Sequence, residues 1–189
     1  MTPQEITTGL ISLFGDAVQA HEPESWQVEI ENLRLLVLLS DDRSWLRSLV
    51  TIAPMQDAAP FMQQLLEANF DETQETRYAF FQNLLWGVFQ HSRENLTPED
   101  FREAIVRLVA LQQRGLSDSF GKLAESQIRQ IIRAAKQQGQ SLETTMQTLE
   151  RFYEEGVMGG MNLDAQQRSE VLGAWRYQLE RLWNEESDS

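Results

Sequence analysis

The sequence predicts an α+β protein, with one antiparallel sheet and helices in the order α-β-β-β-α-β-β-α, followed by about three further helices. Three observations predict it. Residues 26–52 hold three short strand-like runs separated by turn residues, residues 76–90 hold a second β-rich stretch, and after Leu116 only helical patterning continues. The expected organisation is an α+β domain over residues 1–115 and a helical extension over residues 116–189, packed on that domain or on a partner.

Thr2, Pro3 and Glu5 have the cap, first-turn proline and third-position acid of a capping box. Ile6, Leu10, Leu13, Phe14 and Ala17 follow at helical spacing, which predicts a first helix to about Ala20. Residues 21–25 break it. Trp26, Val28 and Ile30 then alternate with Gln27 and Glu29, as on a strand with one wet face. Residues 33–39 are apolar except for Arg34, which reads as a strand buried on both faces; a helix segment is the alternative that periodicity leaves open. After the turn Ser40-Asp41-Asp42-Arg43 comes a third strand, 45–52, with Leu46, Val50 and Ile52 on one face.

Asp57 is placed to cap a short helix with Phe61, Met62, Leu65 and Leu66 facing inward, ending near Asn69-Phe70. Residues 76–90 are rich in aromatic and branched side chains and read as two strands joined near Gln82-Asn83. Thr97-Pro98-Glu99-Asp100 opens another capped helix, whose buried stripe is Phe101, Ile105, Leu108 and Val109. Three helical patterns follow, broken at Gly139 and at residues 156–160. Ile128, Ile131, Ile132 and Ala135 mark the first, and Leu142, Met146, Leu149 and Tyr153 the second. The third begins near Asp164 and carries Val171, Leu172, Trp175, Leu179 and Leu182.

The 189 residues carry a formal net charge of -13, with 29 acidic against 16 basic side chains. Such a field opposes nucleic acid and anionic membrane surfaces and favours neutral or basic protein partners, although acidity also serves plain solubility. The absence of cysteine excludes disulfides, thiolate catalysis and cysteine-ligated metal. No apolar run reaches membrane-spanning length and the first residues carry no basic segment ahead of an apolar one, so a soluble, cytoplasmic protein is expected.

Nothing catalytic stands out. His21 and His91 lie in different segments, and His91 reads as a surface residue at a strand end. The adjacent acids Asp41-Asp42, Asp71-Glu72, Glu99-Asp100, Glu154-Glu155 and Glu185-Glu186 each fit a turn, a helix end, a helix face or a tail. Neither a metal nor a cofactor is expected. The glycines and methionines of residues 156–161 suit a hinge or contacting loop, or simply a helix stop.

The aromatic residues offer the candidate contacts. Trp45 lies on the strand face opposite Leu46, and Phe80 is opposite Phe81; with Trp86 and Phe89 they would make an apolar platform for a partner if exposed. Trp175 and Trp183 on the last helix are the corresponding candidates for docking through the tail, with intramolecular packing as the ordinary alternative.

The order of elements resembles the type III secretion chaperone-like fold, shared by secretion chaperones and small bacterial regulators. Residues 61–70, Phe-Met-Gln-Gln-Leu-Leu-Glu-Ala-Asn-Phe, resemble that family's second helix with its leucine-leucine-x-x-asparagine ending, and residues 26–30 and 96–101 add to the likeness. It covers about residues 1–113 and consists of packing residues, not reactive ones. The resemblance implies an acidic, non-enzymatic homodimer that holds an extended segment of a client protein by edge-strand pairing and apolar pockets. The helical tail departs from the family pattern, which favours an assembly chaperone, adaptor or regulator over a secretion chaperone proper. Two other readings stand beside it: a structural subunit of a permanent complex docking through its C-terminal helices, and an enzyme with an unrecognised carboxylate site.

Overall fold

The computed structural model describes residues 1–21, 24–154 and 165–186. The chain forms two compact units, Met1–Phe120 and Gly121–Ser189.

The first unit is α+β. Its elements are α1 (Pro3–Phe14), β1 (Val18–His21), β2 (Ser25–Ile30), β3 (Leu33–Leu39), β4 (Trp45–Pro54), α2 (Met55–Ala58), α3 (Met62–Asp71), β5 (Thr76–Phe81), β6 (Leu84–Ser92) and α4 (Pro98–Arg114), with α5 (Ser117–Gln137) beginning near its end. All neighbouring strands are antiparallel, in the order β1-β2-β3-β4-β6-β5.

The capping box forms as expected: Thr2 Oγ1 accepts the Glu5 N–H at 3.2 Å and Glu5 Oε2 accepts the Thr2 N–H at 2.7 Å. The first helix nevertheless stops at Phe14, not Ala20. Gly15 adopts φ 58, a left-handed value that ends the helix cheaply only at glycine, and a 3-10 turn over Gly15–Ala17 leads into an unforeseen strand. That strand, β1, pairs Val18 with Val28 and His21 with Ser25, so the sheet has six strands and not five.

Two further expectations change. Asp57 lies inside the single turn α2, whose N-cap is Pro54, and caps nothing. On α3 only Phe61 at its cap and Leu65 face inward, whereas Met62 and Leu66 are exposed. The inward sector of α3 is taken instead by Gln64, Leu65 and Ala68.

Alternation along the strands builds the core on one sheet face. Ile6 and Leu10 of α1 and Phe101, Ile105 and Leu108 of α4 pack against Trp26, Val28, Leu35, Val37, Leu46 and Val50. Space is tight at Gly87, between its strand neighbour on β4 and helix α4: a Cβ there would lie 2.8 Å from Val50 Cγ2 and 3.4 Å from Leu108 Cδ2. Strand β3 is buried on this face alone; Leu36 and Leu38 are half-buried on the other, so the expected burial on both faces does not hold. Gln82 and Asn83, at φ 48 and 62, form the tight β5–β6 turn expected of them.

The second unit is helical. It contains most of α5, then α6 (Leu142–Glu154) and α7 (Ala165–Trp183). Ile128, Ile132, Met146, Leu149, Leu179 and Leu182 form its core, with Trp175 and Trp183 at the margin. The break at Gly139 is a Schellman ending, with the Gly139 N–H on the Lys136 carbonyl and the Gln140 N–H on the Ala135 carbonyl, both at 2.9 Å. The glycine-rich stretch 156–161 lies outside the described residues.

Candidate functional site

A sheet of this order has two edges, β1 and β5, and an edge strand offers unpaired N–H and C=O groups to any extended segment. The two edges differ in availability. On β5, the Asn69 carboxamide takes the place of a neighbouring strand: its Nδ2 donates to the Tyr78 carbonyl at 3.1 Å and its Oδ1 accepts the Tyr78 N–H at 2.7 Å. Two residues earlier, the Thr76 N–H donates to the Thr73 carbonyl at 3.0 Å. The backbone of β5 is thus engaged by the chain's own α3 and the turn after it. On β1, by contrast, Gln19, Ala20 and His21 are exposed, and among the described residues only β2 pairs with it.

The sheet face away from α1 and α4 carries an apolar row. Cross-strand pairing aligns Gln27, Leu36, Leu49, Val88 and Arg77, so three aliphatic side chains lie between two polar ones. Arg47 and Gln90 form the next pair, joined by hydrogen bonds from Arg47 Nε and Nη2 to Gln90 Oε1 at 3.3 and 3.1 Å. At the β5–β6 turn Phe81 is 64% exposed.

The aromatic candidates separate onto different surfaces. Trp45 and Trp86 are half-buried on this second face but at opposite ends of it, since Trp45 pairs with Ser92 and Trp86 with Thr51. The Arg47 guanidinium lies 4.8 Å from the Trp45 ring centroid, and Trp86 Nε1 donates to the Phe81 carbonyl at 3.0 Å. Phe80 and Phe89 point to the helix side. Phe80 packs beside Leu65 and Leu85, and Phe89 is 2% exposed, so the expectation that Phe89 faces a partner gives way to core packing. Trp175 and Trp183 belong to the second unit, where Lys136 Nζ sits 5.6 Å from the Trp183 ring centroid beside a cavity of about 700 Å³.

Electrostatics here are structural. The Ser40 hydroxyl, then the Ser44 N–H and hydroxyl, hold the Asp42 carboxyl down at about 2, which fixes the β3–β4 turn. Burial raises the Tyr78 phenol. His91 stacks on Phe89, with ring centroids 6.0 Å apart, and its Nδ1 lies 2.7 Å from the Ser92 carbonyl oxygen. Among the described residues no group of three or more His, Asp or Glu side chains is placed to hold a metal, and no helix is long and apolar enough to cross a membrane.

The open edge and the Asn69 clasp escaped the sequence reading, though each left a trace. Gly15 followed by Val18-Gln19-Ala20-His21 is a stop signal before a short alternating run, and Asn69 belongs to the leucine-leucine-x-x-asparagine stretch.

No family model and no curated protein matches the chain. Among solved structures it is similar to the HopA1-SchA chaperone-effector complex, with TM-score 0.47 and 13% identity over 60% of this chain and 94% of that one. It is similar to the ExsC-ExsE complex with TM-score 0.47 and 14% identity over 60% and 95% of the two chains. The Yersinia pestis type III secretion chaperone SycH, in complex with a stable fragment of YscM2, gives TM-score 0.48 and 10% identity over 60% and 98%.

Proposed function

We propose that this chain is a non-enzymatic protein-binding module, an assembly chaperone, adaptor or regulator, that holds an extended segment of a client protein as an added strand along β1. The observation that carries this reading is the asymmetry of the sheet edges: Asn69 occupies the Tyr78 backbone of β5, while among the described residues only β2 pairs with β1. Strand addition there supplies main-chain hydrogen bonds, and the side chains of the added segment alternate between the α1 side and the second face. The acidic excess favours a neutral or basic segment.

The test is capture of a partner by the intact chain, followed by amide hydrogen exchange on the purified complex. Slowed exchange at residues 18–21 in the complex supports the reading. A stoichiometric complex that leaves those amides unchanged, or no stoichiometric partner at all, refutes it.

A further inference from the structure

The cavity of about 700 Å³ in the helical unit lies between the end of α5, the turn at residues 139–141 and the end of α7. Its volume is that of a pocket for a small molecule or a single side chain. The apolar part of its wall is the Trp183 indole and the Leu142 side chain, both half-buried at the margin of the unit's core. The polar part is rich in donors. It carries two cations, Arg133 and Lys136, against one carboxylate, Glu186. That carboxylate is already satisfied by the chain: Arg129, from outside the cavity wall, meets one of its oxygens at 3.1 Å, and Arg133 Nε meets the other at 3.1 Å.

Arg133 uses only its Nε on Glu186; among the described residues its two terminal nitrogens, and the side-chain amides of Gln137 and Asn184, have no protein partner. Lys136 Nζ lies 5.6 Å from the Trp183 ring centroid and so sets positive charge beside the apolar wall. These features select the occupant by chemistry. A cation would meet Arg133 and Lys136, and a neutral apolar molecule would leave the guanidinium and amide donors unmatched. A carboxylate on an apolar body satisfies both parts of the wall, with charge-assisted hydrogen bonds at one end and burial at the other. The net charge of -13 on the whole chain acts from a distance and is screened over about 8 Å at physiological ionic strength, so the charges of the wall itself decide. We propose that this cavity binds an organic carboxylate with an apolar body, whether a free small acid or the C-terminal residue of a partner chain. The site belongs to the helical unit alone and does not depend on strand addition at β1.

The probe is N-acetyl-phenylalanine at neutral pH, titrated into the intact protein and followed by amide NMR. Beside it are its carboxamide, which lacks the charge, acetate, which lacks the apolar body, and a hexapeptide that ends in phenylalanine. The proposal expects the acid to shift the amides of residues 139–142 and the Trp183 indole N–H, with the carboxamide and acetate weaker by about tenfold or more. Gln137 is exposed, so Gln137→Glu places a carboxylate in the wall without disturbing the core, and it should weaken binding by about tenfold or more. Gln138→Glu adds the same charge at the neighbouring exposed position outside the wall and should leave the affinity within about twofold. Binding of the hexapeptide assigns the ligand to a chain terminus, and its exclusion while the acid binds assigns it to a free acid; both support the proposal. Equal binding of the carboxamide or of acetate, equal losses in Gln137→Glu and Gln138→Glu, or no shift at these residues overturns it.

Discussion

At the scale of single residues, the structure separates side chains that hold the fold from one that only burdens it. Asn69 belongs to the first kind. Replacing it with alanine leaves both backbone groups of Tyr78 without their partner, which should cost about 1–3 kcal/mol in urea unfolding and make the β5 edge competent for strand pairing, visible as concentration-dependent association. Gly87 is constrained by space: Gly87→Ala drives a methyl to within 2.8 Å of Val50 Cγ2, and we expect a loss of about 1–3 kcal/mol in the same assay. Ser48 is the burden. Its hydroxyl is buried on the helix face with no hydrogen-bond partner among the described residues, so Ser48→Ala should leave stability unchanged or raise it by up to about 1 kcal/mol.

At the scale of elements, the turns show how local chemistry sets the sheet's geometry. The Asp42 carboxylate accepts hydrogen bonds from Ser40 and Ser44 that exist only in the folded turn, so its folded value of about 2 lies below its usual 3.8. A carboxyl with a lowered folded value contributes stability that is fully present above 3.8 and is lost as the pH falls toward 2. Asp42→Asn removes that carboxylate, so it should lower stability near neutrality and flatten the acid limb, with its profile meeting the parent's as the pH falls toward 2, as chemical denaturation across the range would show. The same local signals decided how much of the fold was legible. The capping box at Thr2, the N-cap at Thr97, strict alternation in β2 and β4, and a turn at Gln82-Asn83 are nearest-neighbour codes, and each element begins where they place it. Strand β1 was missed because four residues are too few to establish a period, and their pairing with Ser25–Val28 is a tertiary fact. The orientation of α3 was misjudged because Met62, Leu66 and Phe70 satisfy a helical period as well as Leu65 and Ala68 do. Periodicity says that a helix has an apolar side, not that the side is covered. For the site, alternation correctly put Trp45 on the face away from the core, whereas the burial of Phe89 depends on α4 lying over β6 and is invisible along the chain.

At the scale of the whole molecule, a net charge of -13 means that acids outnumber their natural partners, and the helical unit concentrates its arginines on them. Arg129 contacts Glu125, Glu185 and Glu186 at 2.9, 2.6 and 3.1 Å, Arg133 reaches Glu186 at 3.1 Å, and Arg181 reaches Glu125 at 2.9 Å. Lys136 Nζ adds a hydrogen bond to the Glu186 carbonyl at 2.7 Å. These contacts raise the Arg129 guanidinium and lower the Glu125 carboxyl, and they fasten the residues after α7 along α5. Isolated exposed pairs contribute little, but here several cations share two adjacent acids, and Glu186 is more sheltered than the rest. The double substitution Glu185→Gln and Glu186→Gln keeps the shapes and removes the charges. It should lower the melting temperature of the intact chain and speed amide exchange at the end of α7, and the difference from the parent should shrink in molar salt, where the parent's pairs are screened as well. An unchanged exchange rate at 179–186 would mean that the apolar contacts of Leu179 and Leu182 alone hold this end of the helix, with the ion pairs following from that packing rather than contributing to it.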